Sequence, residues 1–96
     1  MDKTRIIVVE DNIVYCEYVC NLLAREGYST VKAYHLSTAK KHLQQATDDD
    51  IVVSDLRLND GNGIDLLRWM RKEGKMQPFI IMTDYAEVHL SLIHIS

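Results

Sequence analysis

Arg5-Ile6-Ile7-Val8-Val9-Glu10-Asp11-Asn12 is the stretch on which the fold turns. Its apolar residues are consecutive and β-branched, too few for a helix and without polar alternation, which predicts a strand covered on both faces. Two carboxylates follow directly, and from Ile13 to Glu26 the period becomes helical. At about 100° per residue, Ile13, Tyr15, Cys16, Val19, Cys20, Leu22 and Leu23 share one face, with Glu17, Asn21 and Arg25 opposite. Asn12 is suited to cap this helix and Gly27 to stop it.

The same alternation continues outward from this unit. Tyr28 to Tyr34 reads as a second strand. A second helix follows, with Ser37 as its expected cap and a thin apolar stripe of Leu36, Ala39, Leu43 and Ala46, and Asp48-Asp49-Asp50 ends it. Ile51-Val52-Val53 is a third buried strand, and Asn59 to Gly63 supplies turn residues. Ile64 to Glu73 sets Ile64, Leu66, Leu67 and Met70 against Asp65, Arg68 and Lys72, with Gly74 as its stop. Pro78, the one proline, opens a fourth strand at Phe79-Ile80-Ile81-Met82. The order β-α-β-α-β-α-β predicts an α/β domain with a parallel sheet wound by helices on both faces.

Composition narrows the class. The chain has 96 residues, 47% of them hydrophobic and 26% charged, which suits one small domain. A net charge of −3 offers no electrostatic grip on a phosphate backbone, so no direct nucleic-acid binding is expected. The apolar runs are far below the roughly 20 residues of a membrane span, and Glu10-Asp11 interrupts the first, so neither anchor nor signal peptide is expected. Cys16 and Cys20 are too few for a disulfide framework, and the expected location is the cytoplasm.

Parallel sheets of this kind bind ligands at the carboxyl ends of their strands. The residues there are Glu10 and Asp11 after the first strand, Asp55 after the third and Thr83 after the fourth. Three carboxylates converging in a partly desolvated cleft repel one another and call for a cation, and an all-oxygen set suits Mg²⁺. A carboxylate beside a divalent ion can attack phosphorus, and a hydroxyl such as that of Thr83 can then hydrogen-bond a phosphoryl oxygen.

Taken together, Ile6 to Asn12, Val52-Val53-Ser54-Asp55-Leu56-Arg57-Leu58 with Gly63 eight residues after the aspartate, and Ile80-Ile81-Met82-Thr83 resemble the receiver domain of two-component response regulators. The wording Ser54 to Leu58, Asp60-Gly61-Asn62-Gly63 and Met82-Thr83 looks most like receivers of the NtrC type, found in sigma-54-dependent regulators. The resemblance implies a flavodoxin-like fold with sheet order 2-1-3-4. It makes Asp55 the acceptor of a phosphoryl group from a sensor histidine kinase, and Thr83 the switch hydroxyl. Glu10, Asp11, Asp55 and the backbone carbonyl of Arg57 become the Mg²⁺ ligands. Phosphorylation then switches a downstream output such as transcription, and the module is a signalling receiver rather than an enzyme with an external substrate.

The chain departs from that pattern in places. Asn59 stands where proline is frequent. Asp84 follows Thr83 where a small residue is usual, and its extra charge is expected to alter phosphorylation kinetics. Only 13 residues follow Thr83, so the family's fifth strand with its lysine, and its last helix, are expected to be missing. Residues 1–87 then form an incomplete receiver, and residues 88–96 resemble foreign sequence. Without strand five, Phe79 to Met82 becomes an exposed sheet edge through which the chain is expected to self-associate.

Two other functions remain in view. A non-phosphorylated pseudo-receiver would suit the missing lysine but not the intact acidic residues. A Mg²⁺-dependent phosphatase usually carries a second acid two residues after its nucleophile, and Arg57 stands there. Zinc binding by Cys16 and Cys20 is disfavoured because both lie on the apolar stripe of the first helix.

Overall fold

The computed structural model describes residues 3–85 and 89–95, with side chains described for residues 3–82. The elements run β1 (Arg5–Val9), α1 (Ile13–Arg25), β2 (Ser29–Ala33), α2 (Leu36–Gln44), β3 (Ile51–Asp55), β4 (Arg57–Leu58), β5 (Gly61–Asn62), α3 (Gly63–Lys72), β6 (Phe79–Tyr85) and β7 (His89–Ile95). The main sheet has the order β2-β1-β3-β6-β7. β1 pairs in parallel with β2 and β3, and β3 pairs in parallel with β6. The expected order 2-1-3-4 is therefore present, as β2-β1-β3-β6.

Alternate residues of each strand face opposite sides of the sheet. Ile7, Val9, Val52, Phe79 and Ile81 join Leu36, Ala39 and Leu43 of α2 and Leu66, Leu67 and Met70 of α3 in one core. Ile6, Val8, Val53 and Met82 join Cys16, Val19 and Cys20 of α1 in the other. Burial on both faces is why the strands read as unbroken apolar runs. The α1 side is the less complete. Beside the helix an apolar groove of about 250 Å³ runs between Val19, Leu22 and Leu23 of α1 and Ile51, Val53 and Ile80 of the sheet.

Helix ends follow the sequence in α1. The Asn12 side chain accepts the Tyr15 N–H at 2.9 Å, and Gly27 takes a φ of +94° just past the helix. The face assigned to α1 narrows in the structure, because Ile13 is 59% exposed and Leu22 41%. Ile13 lies in the first turn of α1. The cap of α2 also differs. Its N-cap residue is His35, whose side chain makes no capping bond, and Ser37 lies inside the helix.

The far edge of the sheet departs from expectation as well. β7 pairs antiparallel with the whole of β6, from Phe79↔Ile95 to Tyr85↔His89, so residues 79–82 are not an open edge. Unpaired N–H and C=O groups along β6 attract any extended segment, and Leu90 to Ile95 is rich enough in strand formers to supply one. This strand runs opposite to the parallel fifth strand that the family resemblance implies. The boundary expected at residue 87 lies outside the described residues.

Candidate functional site

The site is assembled by the register of the sheet. Val9 stands opposite Ser54 in the β1–β3 pair, so the residues that follow, Glu10 and Asp55, leave the sheet side by side. The Glu10 N–H donates to the Ala33 carbonyl at 2.9 Å, which extends the β1–β2 ladder and fixes where Glu10 departs. Asp55 ends β3 opposite Met82 of β6, which places the Thr83 backbone one residue beyond that pair at the same end of the sheet. The side chains of Thr83 and Asp84 lie outside those described.

Glu10, Asp11 and Asp55 meet there, each offering a carboxylate oxygen, with these oxygens all within 4.8 Å of one another. Glu10 is buried, while Asp11 and Asp55 are half-buried. Burial pushes the Glu10 carboxyl up to about 8, and Asp11 and Asp55 beside it push the same way, against the Asn12 N–H that donates to it at 3.0 Å. The ion pairs of the described residues lie elsewhere, between Arg5 and Asp50 and between Lys32 and Glu17. Three crowded acids of which one resists ionisation form a site suited to a hard divalent cation. Among the described residues this is the one acidic, histidine or cysteine group with such geometry.

The wall after Asp55 is a small hairpin. β4 and β5 pair antiparallel, Arg57↔Asn62 and Leu58↔Gly61, with Asn59 and Asp60 at the tip. Its base is closed by the Gly63 N–H donating to the Leu56 carbonyl at 2.8 Å. Asn62 then caps α3, its side-chain oxygen accepting from the Asp65 N–H at 2.9 Å. Two-residue strands carry too little pattern to be read from sequence, although the Asn-Asp-Gly signal at 59–61 marks the turn itself.

Several other side chains with chemistry of their own lie away from this site. Cys16 and Cys20 are buried in the α1 core. Trp69 is half-buried on α3 with the Lys40 ammonium of α2 5.4 Å from its ring centre, a cation–π contact that ties the two helices. Asp60, within the run Asp60-Gly61-Asn62-Gly63, reaches further than its neighbours: its carboxylate accepts from the N–H groups of Leu36 at 2.9 Å and Ser37 at 3.4 Å.

These features agree with comparison to known proteins. The probable transcriptional regulatory protein SilR of Salmonella typhimurium is 34% identical over 79 residues, covering 82% of this chain. The regulatory protein AtoC of Escherichia coli K12 is 33% identical over 88 residues, covering 92% of it. The chain spans 34% of the first and 19% of the second. The non-phosphorylated HemR receiver domain from Leptospira biflexa superposes with a TM-score of 0.75 at 37% identity, over 90% of this chain and 68% of that one. No helix of the described residues is long and apolar enough to cross a membrane. The family described as the response regulator receiver domain matches residues 6–94, and this chain belongs to it.

Proposed function

We propose that the chain accepts a phosphoryl group on Asp55 from the phosphohistidine of a sensor histidine kinase in the cytoplasm, and thereby controls a transcriptional output. A carboxylate oxygen of Asp55 attacks phosphorus, the P–N bond breaks, and the imidazole recovers a proton. The observation that carries this reading is the convergence of Glu10, Asp11 and Asp55 at the carboxyl ends of β1 and β3. Glu10, Asp11, Asp55 and the Arg57 carbonyl would hold Mg²⁺, which when bound supplies positive charge to offset that of the incoming phosphoryl oxygens.

The protein's own groups divide the work. Asp55, half-buried at the end of a strand, is both fixed and reachable. Asp11 is half-buried beside it, and Glu10 anchors the floor through the Asn12 N–H. The Thr83 backbone lies one residue past the Asp55↔Met82 pair, and in this reading its hydroxyl would bond a phosphoryl oxygen and draw the end of β6 inward. We read residues 1–87 as the receiver proper and 88–96 as a tail, of which residues 89–95 form β7 beside β6. Relatives that include both AtoC and SilR leave the NtrC-type subclass resting on the residues from Ser54 to Gly63 and on Met82-Thr83.

The test is a beryllofluoride titration in Mg²⁺ followed by the amide shifts of residues 55–63. Saturable, Mg²⁺-dependent shifts lost in Asp55→Asn support the reading. Absence of binding favours the non-phosphorylated pseudo-receiver, and turnover of a free phosphoester favours a phosphatase.

A further inference from the structure

We propose that Asp60 is a positioning residue for the acidic site: by joining the start of α2 to the β4–β5 hairpin, it fixes the backbone between Asp55 and Gly61 and so sets the affinity for Mg²⁺. The proposal rests on reading Glu10, Asp11 and Asp55 as the Mg²⁺ site.

Helix α2 begins without a local cap. The His35 side chain makes no capping bond, and the first N–H groups are taken instead by a carboxylate from 24 residues further on. Leu36 donates to one Asp60 oxygen at 2.9 Å and Ser37 to the other at 3.4 Å. An anion at a helix N-terminus is favoured by both the free N–H groups and the helix dipole. The Leu36 N–H holds the Asp60 carboxyl below its usual range, against a smaller opposing effect of burial.

What makes this more than a cap is where Asp60 sits. It is the last residue of the hairpin tip, and Gly61 beside it carries a φ of +147° with its Cα against the buried Leu36. A β-carbon on Gly61 would come 2.4 Å from the Leu36 Cδ1. The hairpin is therefore held at its tip by α2 and at its base by the Gly63–Leu56 bond. Arg57 lies between those clamps, two residues after Asp55 and paired with Asn62. Freeing the tip leaves the carbonyl of Arg57 and the main chain leaving Asp55 held from one end. Groups outside the ligand set that orient the ligands change metal affinity in this way.

The experiment separates capping from positioning by giving α2 a local cap. Mg²⁺ affinity is read from amide-shift titrations, and stability from thermal unfolding without Mg²⁺. Asp60→Ala is expected to lower the melting temperature and weaken Mg²⁺ binding by about tenfold or more. Adding His35→Asp to Asp60→Ala restores the cap, and is expected to recover stability while Mg²⁺ binding stays weak and amide exchange at residues 57–62 stays fast. Recovery of affinity together with stability, or an Asp60→Ala affinity equal to that of the unaltered chain, overturns the proposal. Should Asp60→Ala not fold, Asp60→Asn keeps an acceptor oxygen and is compared in the same way. Asp11→Asn runs alongside. An unaltered chain that shows no Mg²⁺-dependent shifts overturns the site reading itself, whereas binding indifferent to Asp60 overturns only the positioning role.

Discussion

Gly63 lies so close to Asp55 that a β-carbon placed on it would come 2.6 Å from the Asp55 carbonyl oxygen and 3.0 Å from the Ser54 Oγ. The first of these neighbours is backbone, at the point where β3 leaves the sheet, and Ser54 is fully buried. Neither can move cheaply. Gly63→Ala gains up to about 1 kcal/mol in helix propensity at the start of α3. It is nevertheless expected to destabilise the fold by about 1–3 kcal/mol through overpacking. Urea unfolding checks this, and a variant as stable as the parent would show that the contact relaxes without cost.

Glu10 links stability to pH and to metal. Burial, with Asp11 and Asp55 beside it, pushes its carboxyl up to about 8 from the ordinary 4.5, so the folded state holds the proton more tightly than the unfolded chain. Its contribution is fully present below about 4.5 and is lost as pH rises through about 8. Without Mg²⁺, Glu10→Gln is expected to gain about 1–2 kcal/mol above pH 8 and little at pH 5, because it removes a buried, crowded charge. Mg²⁺ stabilises the parent increasingly with rising pH and stabilises Glu10→Gln less. Thermal unfolding across pH 5–9, with and without Mg²⁺, measures both.

At the opposite end of the sheet, the Arg5 guanidinium donates to the Asp50 carboxylate at 2.7 Å, and the Thr47 N–H donates to the same oxygen at 2.9 Å. Burial pushes the Asp50 carboxyl up, but these bonds together outweigh it and hold it below 3.8. Its contribution is present above about 3.8 and is lost as pH falls through its lowered folded value. Arg5→Ala leaves a buried carboxylate with one donor fewer and is expected to cost about 1–2 kcal/mol at pH 7, less near pH 3. Denaturant titrations at the two pH values decide it.

Deleting residues 89–96 removes the antiparallel partner of β6. A strand edge with free N–H and C=O groups then faces water, and concentration-dependent self-association is expected. Sedimentation at several protein concentrations tests this, and a shortened chain that stays monomeric throughout would contradict it.

Much of the site was legible because its chemistry sits at strand ends. Burial on both faces makes β1 and β3 unbroken apolar runs, and the acids that follow are forced together by the Val9↔Ser54 register. Asn12 and Gly27 carry local signals and act locally. The α2 cap was not legible, because Asp60 reaches it from a distant turn and nothing in the neighbourhood of Ser37 reports that contact. Nor was the direction of β7, since pairing across a sheet edge is decided in space and leaves no period at residues 79–82. The exposure of Ile13 and Leu22 was hidden in the same way, since helical spacing marks an apolar face but not how much of it is covered.

The two thiols of α1 give the molecule a built-in clock for opening. Cys16 is fully buried and Cys20 nearly so, and burial, reinforced by the neighbouring Cys20, pushes the Cys16 thiol up to about 12. The nucleophilic thiolate is therefore scarce until α1 lifts from the sheet. Alkylation by a small thiol reagent then counts opening events of the α1 core, in the parent and in each variant, without any added label.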